Sequence, residues 1–102
     1  MNSAFTTKSD GTLEIAGELD IYSSEELRAR LIQATTSPTG VRLDLSSVTN
    51  CDVTAMQLLC AARKSAIAAG KSFHLSAVSE SVEAARVALG INAAEFSNSP
   101  SH

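Results

Sequence analysis

The stretch Val41 to Leu59, VRLDLSSVTNCDVTAMQLL, decides how this chain is organised. Val41, Leu43 and Leu45 alternate with Arg42 and Asp44, the period of a strand with one accessible face or rim; a strand buried on both sides would carry fewer charges. A polar turn is expected next, after which Asp52-Val53-Thr54 opens a helix. Thr54 and Gln57 stand at capping-box spacing, and Met56, Leu59, Ala62 and Ala66 recur on one face until Gly70 supplies a stop. A strand that feeds a helix start gathers backbone N–H donors, a positive dipole end and loop side chains on one rim. Such a rim suits an anion or a partner protein.

Towards the N-terminus, Asp10-Gly11 is a turn signal between a weak edge strand over Phe5–Ser9 and a strand over Thr12–Leu19, which together make a hairpin. Ser23 and Glu26 have capping-box spacing, and Leu27, Leu31 and Ile32 share a face, so a helix is predicted over Ser24–Thr35. The cluster Ser37-Pro38-Thr39-Gly40 ends it. Towards the C-terminus, Ser72–Val78 reads as a strand. Ser79 then caps a last helix with Val82, Ala85 and Leu89 inward and Gly90 at its end. The order β-β-α-β-α-β-α implies an α/β fold, a mixed four-stranded sheet with helices packed on it. Residues 1–91 read as one domain. Residues 92–102, Ser-rich with Phe96 as the one large apolar side chain, read as a loosely ordered tail.

The bulk numbers narrow the function. At 102 residues with 44% hydrophobic and 19% charged positions, the chain has the material for one core and is not a disordered segment. A net charge of −3 with scattered basic residues gives no electrostatic footprint for nucleic acid. No apolar run approaches a bilayer span and MNSAFTTKSD lacks signal-peptide character, so direct membrane insertion is not expected and the chain reads as cytoplasmic. Cys51 and Cys60 form no metal-binding pair, and His74 and His102 are isolated, so no metal ligand set and no cofactor motif is present. Both thiols read as reduced, Cys60 in the core and Cys51 beside a helix start that would lower its pKa. A phosphorelay receiver using Asp52 would need an acidic pair after the first strand to hold Mg²⁺, and only Asp10 lies near there, in a turn. With no Gly-rich phosphate loop and no nucleophile triad, an enzyme is not expected.

The element order, the segment Gly17-Glu18-Leu19-Asp20 and the run LDLSSVTNCDVTAMQLL resemble the STAS domain, the fold of bacterial anti-sigma factor antagonists, over about Phe5 to Ile91. In that family the segment after the third strand commonly reads Asp-Ser-Ser-Gly-Leu or Asp-Thr-Ala-Gly-Leu, and a partner kinase phosphorylates the hydroxyl residue after the Asp. Carried over by position, Asp52 matches the Asp, Val53 falls on the phosphoacceptor, Thr54 on the small residue, Ala55 on the Gly and Met56 on the Leu. Valine has no hydroxyl, so the usual switch is missing at that position. Thr54 is the neighbouring hydroxyl that could accept phosphate instead, although its spacing to Gln57 marks it as a cap.

The resemblance implies a non-catalytic module that binds an anti-sigma factor, a serine kinase or another signalling protein. Its expected docking rim comprises Asp20, Tyr22, Asp52, Val53, Thr54 and Met56, with Tyr22 also suited to half-buried packing. The alternative is a structural adaptor that is never phosphorylated, as a subunit of a lipid-transport ABC complex or of a chemotaxis-like cluster. Oligomeric state is left open by the sequence.

Overall fold

The structure is a computed structural model that describes residues 3–38 and 40–92. Its elements run β1 (Ser3–Thr7), β2 (Leu13–Leu19), α1 (Ser24–Thr35), β3 (Val41–Cys51), α2 (Val53–Ala68), β4 (Phe73–Val78) and α3 (Glu80–Ala88). The four strands lie in chain order, with β1 antiparallel to β2 and β2, β3 and β4 parallel. The expected mixed sheet and element order are present. The expected tail, Phe96 included, falls almost wholly outside the described residues.

The hairpin closes as its sequence indicates. The Lys8 N–H donates to Thr12 O at 2.8 Å, Gly11 sits at φ +90°, and Asp10 Oδ1 accepts from the Thr12 N–H. One face of the sheet is buried: Leu13, Ile15 and Leu19 of β2, Val41, Leu43 and Leu45 of β3, and Phe73 of β4 form the core with Leu27, Leu31, Met56, Leu59, Ala62 and Val82 from the helices. The alternate positions Arg42, His74 and Ser76 are exposed, and Glu14 and Asp44 are half-buried. A polar, open sheet face explains the charges in β3.

The third strand departs from expectation. The stretch expected to turn after Leu45 is strand, and β3 runs for 11 residues to Cys51. Its burial period breaks at Ser47 because β3 carries extra residues against β2: Glu14 to Ala16 is matched by Asp44 to Ser47, and Gly17 to Glu18 by Val48 to Asn50. Each bulge shifts the side-chain phase by one residue, so Val48, which period-2 counting from Leu45 would miss, faces the core, and the second bulge restores the original phase at Cys51. Beyond Leu45 the edge of β3 is taken up by α3, with the Ser79 N–H on Leu45 O and Ser81 Oγ on Thr49 O.

Other expectations also need correction. Ile32 is 50% exposed and Leu89 40% exposed, so neither belongs to the buried faces assigned to them. Ser23 does not cap α1. It has helical backbone angles as the last residue of the turn Asp20–Ser23, so its hydroxyl accepts from the Asp20 N–H and faces Glu18 O and Asp20 O. Glu26 pairs with Arg30 instead. Lys71 donates from Nζ to Thr35 O at 2.8 Å and ties the end of α1 to the α2–β4 loop. By contrast Ser79 caps α3 as expected, accepting from the Val82 N–H.

Candidate functional site

The rim is built where β2 and β3 end side by side. Register pairs Leu19 with Cys51, and the Asp52 N–H donates to Leu19 O at 3.0 Å, so Asp20 and Asp52 emerge from neighbouring strands. At Asp20 the chain turns. Its Oδ1 accepts from the Tyr22 N–H (3.0 Å) and the Ser23 N–H (3.2 Å), an Asx turn that forces the intervening side chains outward. Ile21 is 66% and Tyr22 93% exposed, which excludes half-buried packing for Tyr22.

At Asp52 the backbone is extended (ψ 179°) and the carboxylate caps α2, Oδ1 accepting from the Ala55 N–H at 2.9 Å. The helix therefore starts at Val53, two residues earlier than the spacing of Thr54 and Gln57 suggests. Thr54 lies inside the first turn and is not the cap; an extended Asp52 already fills that role. Val53 projects from that first turn, 47% exposed. Met56, expected both on the core face and on the docking rim, is fully buried beneath α2 and takes no part in the surface.

Cys51 is also placed differently in chemical terms. It closes β3 pointing into the core, and burial, with the Asp52 carboxylate beside it, pushes its thiol up to about 12, the opposite of the lowering expected at a helix start. Cys60 is half-buried and packs against the core. Among the described residues, no three His, Cys, Asp or Glu side chains gather as a metal site, and no helix is long and apolar enough to cross a membrane. A recess of about 220 Å³ lies between α1 and α2, lined in part by Arg28, Ile32, Leu58 and Ala61, away from the rim.

The rim thus brings together Asp20, Tyr22, Asp52, Val53 and Thr54. It adds one residue that the sequence reading missed, Ile21. The signal for it was present: an apolar residue directly after an Asx-turn aspartate is held out of the core by the turn itself. Three exposed apolar side chains, Ile21, Tyr22 and Val53, thus stand on a rim bearing two carboxylates.

Comparison with known proteins agrees with this fold. The profile of the family described as Mlab, STAS domain, matches residues 4–94. The chain belongs to the STAS domain family. A crystal structure from Thermotoga maritima, of a protein provisionally described as an anti-sigma factor antagonist, is similar in fold to this STAS domain, with a TM-score of 0.66 over 87% of this chain and 79% of that one. At 18% identity that likeness concerns the fold alone.

Proposed function

We propose that this STAS domain is a non-catalytic, cytoplasmic docking module of the anti-sigma factor antagonist type, whose rim around Asp52-Val53-Thr54 engages a bacterial signalling protein such as an anti-sigma factor or serine kinase. The observation that carries the reading is Val53. It is half exposed at the start of α2 and has no hydroxyl, and the positional resemblance sets it against the family's phosphoacceptor.

The physical consequence is a surface held in one state. A phosphate here would add close to two negative charges next to Asp52 and Asp20 and would release a partner by repulsion. An exposed valine keeps the rim apolar and favours contact. Transcription control would then run through the abundance of this protein rather than through its phosphorylation.

The missing hydroxyl at Val53 also suits a second reading, in which the same rim belongs to an unphosphorylated structural adaptor in a lipid-transport ABC complex or chemotaxis-like cluster. Both readings share the rim and differ in the partner.

The test uses a partner captured from the native cell and identified. Val53→Asp places a charge beside Asp52 and is expected to weaken binding about tenfold or more, a loss of about 1.4 kcal/mol or more. Unchanged affinity would put the interface elsewhere. If that partner is a kinase, Val53→Ser is expected to become its substrate; no phosphate incorporation would show that the geometry has drifted beyond one residue.

A further inference from the structure

The two lateral edges of the sheet are treated differently. At the β4 edge, Ser76 is an extra residue against β3 and its hydroxyl donates to Leu43 O. A bulge is a usual means of blunting an edge. The β1 edge, Ser3–Thr7 with sequence SAFTT, has no charge, no proline and no break in its register with β2.

The hydrogen-bonding phase of that edge follows from the hairpin. Lys8 donates to Thr12 O, so by antiparallel alternation Thr6 and Ala4 bond to Glu14 and Ala16 of β2. The N–H and C=O groups of Ser3, Phe5 and Thr7 then point to the free side. Among the described residues nothing pairs with them. These groups are symmetric about Phe5, two residues to either side.

We propose that the β1 edge is a self-association surface at which a second copy of this chain adds its own β1 antiparallel, centred on Phe5. Phe5 pairs with Phe5 of the second copy, and Ser3 with Thr7 of the second copy, twice, so every free donor of one copy meets a free acceptor of the other. The edge is self-complementary: it carries no charge to repel its own image, and a two-fold axis through Phe5 satisfies its bonding pattern in full. The axis is perpendicular to the sheet, which keeps the helices of both copies on one face. There Phe5 sits half-buried with the Arg30 guanidinium 5.8 Å from its ring centre, and pairing brings the two Phe5 rings together on that face. The docking rims of the two copies then point in opposite directions, so one assembly can hold two partners.

The experiment combines sedimentation over a concentration series with residue-resolved amide exchange on the same protein. The expected result is a concentration-dependent rise in mass from one chain of 10.6 kDa to two, with the Phe5 and Thr7 amides becoming slow to exchange at high concentration while Ala4 and Thr6 are protected throughout. Thr7→Pro removes a free-edge donor without removing a β1–β2 bond and is expected to return the protein to a single chain with its circular dichroism unchanged. A single-chain mass up to millimolar concentration, or a dimer whose Phe5 and Thr7 amides stay unprotected, would overturn the proposal. The exchange arm uses the unaltered chain and so stands even if Thr7→Pro fails to fold.

Discussion

At the residue scale, the junction turns on which side chain performs which task. Asp52 serves three hydrogen bonds: its N–H to Leu19, its carboxylate to Ala55 and its carbonyl to Met56. Removing the carboxylate in Asp52→Ala is expected to cost about 1 kcal/mol by urea denaturation, the usual value of an N-cap. Thr54→Ala, within the first turn, is expected to stay within about 0.5 kcal/mol; the reverse order would restore Thr54 as the cap. The Cys51 thiol should resist alkylation at neutral pH in the folded protein and react once it is unfolded, as followed by mass. Because its folded pKa lies above the unfolded value, its contribution to stability is complete below about pH 9 and declines as pH rises from there towards about 12. The Asp-x-Thr pattern announced a helix start, but it did not distinguish the cap from its neighbour. Asp and Thr are both good caps, and only the extended backbone at residue 52 decides between them.

At the element scale, β3 shows where pattern reading works and where it stops. The alternation Val41-Leu43-Leu45 was legible because an undisturbed strand repeats every two residues. Two bulges then shift the phase, and the polar run Ser46–Asn50 looks like a turn although it continues the strand. On the open face, Asp44 accepts from the Ser46 hydroxyl and N–H and pairs with Lys8 at 3.2 Å, which together hold its carboxyl below the usual carboxylate range. A lowered folded pKa means stability present above the unfolded value, near pH 4, and lost as pH falls through the folded one. Asp44→Asn is therefore expected to lower stability by about 1 kcal/mol at pH 7, with the gap to the unaltered protein closing below about pH 4 in denaturant titrations. The loop before β3 has its own constraint. Gly40 sits at φ +87°, and a Cβ there would lie 2.6 Å from Ser72 O, whose carbonyl receives the Val41 N–H. Gly40→Ala is expected to lower the melting temperature and cost about 1–3 kcal/mol through strain and displacement of β4. The Ser37–Gly40 cluster foretold a stop; that the same glycine spaces two strands depends on a contact with Ser72, 32 positions along the chain, which no local pattern records.

At the scale of the whole molecule, the strands in chain order bring the ends of β2 and β3 together, and that adjacency makes a rim from segments thirty residues apart. The sequence disclosed the fold and set Asp20, Tyr22, Asp52, Val53 and Thr54 at the β2–α1 and β3–α2 junctions, because turn and cap chemistry marks those boundaries. Met56 was misplaced because it shares the apolar stripe of Leu59, Ala62 and Ala66 that faces the core, whatever its motif position. Ile21 was missed because its exposure comes from the Asx turn of its neighbour. The central claim is that this STAS rim has kept its geometry and lost its chemical switch at Val53. The intact mass of the protein purified from its own cells, with phosphatases inhibited throughout, tests it most directly. The expected result is the mass of the unmodified chain under every growth condition; a phosphate adduct that maps to Thr54 would contradict it, since the switch would then have moved by one residue and survived.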